Sequence, residues 1–397
     1  MNPWRGLGAL PKEVWYLCLA TLVNRAGTMV LPFLTLYLTV DRQLPAAIAG
    51  LALTIYGVAA IVVAPLAGRF SDRLGSLLII KISLFLTGLI LFVFPFVTGL
   101  YGIFAITAIW AFANESFRPP SMALIGQLTG PAQRKMAFAL SRLAINLGMS
   151  IGPVIGGFLA MKSFKSLFYV DGTTSILAGL LIALMPWRIR PAPSATPAES
   201  GVPELNYASV LRDRRFLYFL IAMLPIEMVF FQSLAAMALF IVRDLHISEA
   251  AFGLLLAINT VLIIFTEVPL NTAMSNWSHR SAIALGALLV GAGMGGLAFV
   301  SGPIGVAITT VVWTMGEMIL LPASSAYVSD IAPQAQAGAY MGLFMMGFSV
   351  AFAIGPWLGV AILESWGPTS VWLGTFACGC LTALMIWQQQ PEAGVRS

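Results

Sequence analysis

Apolar runs of about 20 residues or more recur along the whole length of this chain, and each is long enough to cross a roughly 30 Å hydrocarbon layer as a helix. They fall at 14–40, 46–67, 77–99, 102–128, 136–161, 166–187, 215–242, 248–272, 281–301, 303–329, 337–362 and 368–389. In lipid a backbone must satisfy its polar groups within the segment, so runs of this length predict helices. Composition agrees: 59% of residues are hydrophobic and 9% charged, with a mean hydropathy of +0.91. Soluble domains carry roughly 25% charge. The expectation is an all-α integral membrane protein of twelve transmembrane helices.

The first run lies behind Arg5 and Lys12 without a small-residue cleavage site, and reads as a retained helix. Lys and Arg set orientation. With the N-terminus in the cytoplasm, that side receives fourteen of them: Arg5, Lys12, Arg69, Arg73, Lys81, Arg134, Lys135, Arg188, Arg190, Arg212, Arg214, Arg215, Arg280 and Arg396. The other side receives Arg42, Lys162, Lys165 and Arg243. Both termini are expected inside, in a multi-pass protein of a bacterial inner membrane. The net charge of +5 is then a topology signal and gives no reason to expect nucleic acid. Cys18, Cys378 and Cys380 fall inside predicted helices without His neighbours, so free buried thiols and no metal site are expected.

The polar stretch "RIRPAPSATPAESGVPELNYASVLRDRR" is rich in Pro, Ala and Ser and cannot pack a core. It divides the chain into a six-helix bundle over 1–187, a cytoplasmic linker over 188–214 and a second bundle over 215–397. The two parts repeat each other at an offset of 202 to 203 residues: Trp110 falls on Trp313, Glu115 on Glu317, Pro120 on Pro322, Pro131 on Pro333, and Gly152-Pro153 on Gly355-Pro356. An even number of helices per copy gives both the same orientation. The copies are therefore expected to be related by a pseudo-two-fold along the membrane normal, with the pathway between them.

"GRFSDRLG" at 68–75, between the second and third spans, resembles the Gly-x-x-x-Asp-Arg-x-Gly signature of the major facilitator superfamily. "LGMSIGPVIGG" at 147–157 in the fifth span, preceded by Arg142, is similar to that superfamily's antiporter motif. The signature usually continues Gly-Arg-Arg or Gly-Arg-Lys, whereas Ser76 and Leu77 follow Gly75 here. The resemblance implies that Gly68, Asp72, Arg73 and Gly75 form a conformational latch. In the fifth span Gly148, Gly152, Gly156 and Gly157 form a ridge of small residues that lets helices approach, and Pro153 bends the backbone.

An ionisable residue at bilayer depth is costly, so it usually faces a cavity and pairs. Those picked out are Arg25, Glu115, Arg118, Arg142, Glu227, Glu267 and Glu317. Glu115 and Arg118 stand three apart, the spacing at which one helical face allows mutual neutralisation. Pro119 and Pro120 free nearby backbone carbonyls, which predicts a bent segment with a polar centre. Glu317 holds the equivalent place in the second copy with Leu320 and Leu321 where an arginine would be. Desolvation disfavours the charged form of a carboxyl group, which suits a proton-coupling site. Glu317 is the first candidate, Glu227 beside Pro225 the second, and Glu115 the third. Glu267, near the cytoplasmic end, reads as structural.

Candidate substrate-binding residues are Arg25, Arg118, Asn24, Tyr37, Trp110, Asn146 and Trp313, within an apolar and aromatic lining. No Ser/His/Asp cluster, phosphate-cradling loop or metal constellation appears in the sequence, and His246 and His279 stand at helix ends. Catalysis and ATP-driven pumping are disfavoured, and no cofactor is expected. The fifth-span motif looks like that of multidrug–proton exporters. "NRAGTMVLPFLTLYL", "FRPPS" and "GEMILLPAS" are similar to segments of proton-coupled oligopeptide transporters, on which Arg25, Arg118 and Glu317 match the functional positions, although the acidic residues before the first-span arginine are missing. The expected function is proton-coupled export of a small amphipathic compound, with import of a peptide-like or anionic solute as the alternative. The expected partners are a small-molecule substrate, protons and the lipid bilayer, and the chain is expected to be a monomer.

Overall fold

A computed structural model describes residue 8 and residues 10–187, 210–274, 276–333 and 336–388. Most of the 188–214 linker lies outside the described residues. Among the described residues twelve helices are long and apolar enough to cross a membrane. We number the spans α1 (Lys12–Gly27, continued by Val30–Leu36 and a π-helical turn at Tyr37–Asp41), α2 (Ala46–Leu74), α3 (Ser76–Val93), α4 (Leu100–Glu115, then Arg118–Leu128), α5 (Pro131–Ala160) and α6 (Phe164–Leu184). There follow α7 (Arg214–Phe230, a 3-10 turn at Phe231–Leu234, Ala236–Leu239 and a π-helical turn at Phe240–Asp244), α8 (Glu249–Ala273), α9 (His279–Gly296), α10 (Pro303–Ile331), α11 (Ala337–Trp366) and α12 (Pro368–Gln388). All twelve predicted spans are present, but α1, α4 and α7 are broken rather than continuous.

The ends of these helices follow from their residues. Gly75 separates α2 from α3 at φ 89°, a conformation that excludes most side chains. Asp213 caps α7 by accepting from the amides of Arg215 and Phe216 at 2.9 and 3.1 Å. Pro131 and Pro303 open α5 and α10, where a missing amide hydrogen costs nothing. In α1 the break follows from Pro32, which cannot donate to the carbonyl of Thr28 four residues earlier. Pro119 and Pro120 do the same to Glu115 and Ser116 in α4.

The described chain separates into two compact units, Met1–Ser200 with His246–Ile264, and Gly201–Leu245 with Phe265–Ser397. In the first, α1 packs against α5 and α6, α3 against α6, and α2 against α4. Aromatic rings fill its centre: Tyr37 lies 4.7 Å from Phe168 between ring centroids, Phe168 4.9 Å from Phe94, and Phe94 6.1 Å from Trp110. In the second, α9 packs against α10 and α12, and α7 against α11 and α12.

The internal repeat extends to backbone detail. The π-helical turns at Tyr37–Asp41 and Phe240–Asp244 stand at the same place in the two copies. Each is followed by a non-glycine residue at positive φ, Gln43 at 53° and His246 at 54°. Glycine contacts recur as well. Gly88 of α3 meets Gly172 of α6, and Gly291 of α9 meets Gly379 of α12. Backbones approach at these crossings because no side chain stands between them.

Candidate functional site

The first unit concentrates its polar groups around the breaks in α1 and α4. Gly27 ends the first half of α1 directly against the Thr174 hydroxyl of α6, where a β-carbon would collide. Interruption leaves amides without helical partners. Two of these, of Met29 and Val30, donate to Asp171 Oδ2 of α6, each at 3.2 Å. Asn24, one turn earlier, donates to the Ser175 hydroxyl at 3.1 Å, so α6 holds both sides of the break.

The α5 glycines lie against the same segment of α1. A β-carbon at Gly148 would stand 2.5 Å from the Arg25 Cβ, one at Gly152 2.8 Å from the Thr28 carbonyl oxygen, and one at Gly156 2.8 Å from the Met29 Cβ. Gly157 faces the backbone of Glu249 and Ala250 on α8, and Gly253 of α8 faces the Pro153 carbonyl in return. The ridge predicted from spacing therefore has two identified neighbours. Arg142 and Asn146 lie on the same helix, the first exposed and the second half-buried.

Glu115 ends the first half of α4. Its Oε1 accepts from the Tyr56 hydroxyl of α2 at 2.8 Å and from Asn114 Nδ2 at 3.2 Å, while Asn114 also donates to the Tyr56 oxygen at 2.7 Å. The Tyr56 ring packs edge-on against Trp110, with centroids 5.0 Å apart. The expected Glu115–Arg118 pair does not form among the described residues. The break at Ser116 and Phe117 removes the continuous turn that would place the two on one face, and Arg118 is exposed at the start of the next segment. Arg25 sits 5.9 Å from the Phe117 ring centroid, a cation–π contact, and within electrostatic reach of Tyr56 and Asp171.

In the second unit, Glu227 of α7 is 3% exposed, and its Oε2 is buried without a hydrogen-bond partner among the described residues. It faces Gly347 of α11, where a β-carbon would lie 3.2 Å from Oε2. One turn on, Gln232 donates to the carbonyls of Met228 and Gly355 at 3.0 and 2.8 Å. Trp313 of α10 is buried 6.4 Å from the Phe230 ring, and Glu317 is buried one turn further along.

Other sequence candidates divide by environment. Tyr37 is sunk in the aromatic centre of the first unit and Asn24 is engaged with α6, so both side chains are occupied with packing. Asp72 and Arg73 are exposed at the end of α2, beside a Ser71–Ser76 hydroxyl contact of 2.9 Å. Cys18 is buried, whereas Cys378 and Cys380 are half-buried rather than buried as expected. Among the described residues no group of His, Cys, Asp and Glu could hold a metal ion. Sequence reasoning missed Asp171. The signal was present in "YVDGTTS", an acid inside the sixth apolar run, and calls for the same attention as Glu227 or Glu317.

The family model of the Major Facilitator Superfamily matches residues 17–242 and 228–396. Multidrug resistance protein MdtH of Cronobacter sakazakii (strain ATCC BAA-894) is 28% identical over 286 residues, covering 69% of this chain and 68% of that protein. A Na(+), Li(+), K(+)/H(+) antiporter of Planococcus maritimus is 23% identical over 388 residues, with 89% and 90% covered. A crystal structure of a POT family transporter with a thioalcohol-conjugated peptide aligns at a TM-score of 0.78 and 16% identity, over 97% of each chain. Likeness at that identity speaks to the fold alone.

Proposed function

The chain belongs to the Major Facilitator Superfamily, and from that premise we propose that it is a proton-driven exporter of small amphipathic organic compounds, working by alternating access. The family is one of transporters, not enzymes. The observation that carries the proton part is Glu227. A carboxylate oxygen buried without a donor is costly, so the group gains from taking a proton while buried and from releasing it when its site is wetted. Glu317, buried on α10, is the second candidate carrier, and Glu115 the third.

The cargo class is supported by two features. Trp110 and Trp313, repeats of each other, are buried among aromatic rings with indole nitrogens that have no hydrogen-bond partner among the described residues. Uncovered in another conformation of the cycle, rings of this kind accept flat apolar molecules carrying a single polar group. Likeness to a multidrug resistance protein supports the same class, and likeness to an antiporter using protons supports the direction of coupling. The Lys and Arg distribution supports placing both ends in the cytoplasm.

Proteoliposomes loaded with ethidium as a fluorescent amphipathic cation provide the test. Efflux should follow an imposed pH gradient and stop when a protonophore collapses it. Efflux indifferent to the gradient would contradict proton coupling. A second reading rests on Arg118, exposed and not paired with Glu115: such a guanidinium can bind a carboxylate-bearing solute. Gradient-driven uptake of a dipeptide, with no movement of ethidium, would favour that reading.

A further inference from the structure

Asp171 is 4% exposed, in the middle of a membrane-spanning helix, and its carboxylate takes both of its described hydrogen bonds from another helix's backbone. The donors, Met29 and Val30, are the first residues after the break in α1, and Arg25 lies one turn before it. Met29 itself stands at φ −123° and ψ −18°, outside helical geometry, so the chain turns there rather than winding on. The carboxylate is a fastening between α6 and the point at which α1 changes direction.

Among the described residues the fastening has no counterpart in the second copy. There the equivalent helix, α12, carries Gly374 and Thr375 near the corresponding place, and Thr375 bonds within its own helix, to the Trp372 carbonyl at 2.6 Å. At the break in α7 the neutral Gln232 donates instead to the Gly355 carbonyl of α11. One copy thus uses an ionisable group where the other uses an amide.

We propose that Asp171 is a positioning residue of the transport cycle: ionised, it pins the break in α1 and so the position of Arg25, and on taking up a proton it lets that break loosen. Hydrogen bonds to a charged acceptor are roughly twice as strong as those to a neutral one, so one proton weakens two contacts at once. Of the ionisable groups on the elements packed around it, Arg25 from α1 is the one that acts on the carboxylate. Tyr37, in the π-helical turn of α1, packs on Phe168. Tyr169 of α6 stacks on Phe92 of α3. The described stretch of α3 that crosses α6 at Gly88 carries no further acid or base, and neither does α5 from Leu143 to Ala160. The inference deepens the proton-coupled reading above by adding a second proton-responsive carboxyl to it.

Hydrogen exchange tests the fastening without a substrate. The full-length protein in lipid nanodiscs would be labelled between about pH 5 and pH 9, and exchange of fragments spanning Thr28 to Leu31 normalised to the intrinsic rate at each pH. Protection in the unaltered protein should fall by at least about fivefold on the acid side. Asp171→Asn, isosteric but unable to ionise, should exchange at the fast rate throughout. Asp171→Glu should restore the pH dependence. A flat profile in the unaltered protein overturns the proposal, as does Asp171→Asn with the protection of the unaltered protein at high pH. If Asp171→Asn does not fold, the profile of the unaltered protein decides alone. Ethidium efflux measured in parallel separates the two claims: a titrating fastening with gradient-independent efflux leaves Asp171 standing and removes the proton-driven reading.

Discussion

The Tyr56 hydroxyl of α2 donates to Glu115 of α4 across 2.8 Å, at the last residue before the fourth span breaks. This contact ties a carboxyl group to a neighbouring helix where its own helix no longer holds it. Removing the donor should therefore loosen the break. Tyr56→Phe is expected to lose about 1–3 kcal/mol of stability, the cost of depriving a half-buried carboxylate of its donor. Thermal unfolding in detergent measures it, and a loss below about 0.5 kcal/mol would assign the fastening to Asn114 alone.

Arg118 should act independently of Glu115, because the break between them leaves no common face. Arg118→Gln and Glu115→Gln are expected to have additive effects on transport, within about 0.5 kcal/mol in a double-mutant cycle. Restoration of Arg118→Gln by the second substitution would instead reveal a pair that forms in another conformation.

The two glycines of the 68–75 motif should behave differently. Gly75 holds φ 89°, so Gly75→Ala is expected to cost about 1–3 kcal/mol. A β-carbon at Gly68 meets open space, so Gly68→Ala should alter stability by less than about 0.5 kcal/mol. If Gly68→Ala nevertheless slows transport at unchanged stability, the glycine is needed in a conformation other than this one. Fluorescent labelling of engineered cysteines on the two faces would then report a shifted population, as it should for Asp72→Asn if Asp72 and Arg73 form a latch.

Gly152→Val should strain the contact of α5 with α1. The added carbons would meet the carbonyl oxygens of Thr28, Arg25 and Ala26, which are backbone and cannot turn aside. A destabilisation of about 1–3 kcal/mol is expected from such overpacking. Gly126→Ala, where nothing lies within 4 Å, is the control.

The twelve spans were legible because the length and hydropathy of an apolar run suffice to identify a membrane helix. The bend in α4 was legible from Pro119 and Pro120. The break in α1 was not read, although Pro32 has the same effect on Thr28, because one proline in a long apolar run looks tolerable until a partner for the amides at the interruption is known. That partner, Asp171, lies about 140 residues away along the chain, and no local pattern connects the two. The Glu115–Arg118 expectation failed for a related reason. Spacing of three residues implies contact only while the helix continues, and the prolines that follow end it. The glycine ridge of α5 was read correctly as a surface of close approach, but spacing could not say that Arg25, Thr28 and Met29 would be its neighbours.

The most direct test of the account counts protons against cargo. Proteoliposomes enclosing a pH-sensitive dye would receive ethidium with no imposed gradient, and dye and ethidium signals would be followed together for the unaltered protein, Glu227→Gln and Glu317→Gln. Proton movement opposite to ethidium in the unaltered protein, lost in Glu227→Gln while ethidium still binds and exchanges, is the predicted result. Unchanged proton movement in Glu227→Gln with loss in Glu317→Gln would transfer the role to α10. Ethidium movement without any proton movement in the unaltered protein would contradict the account.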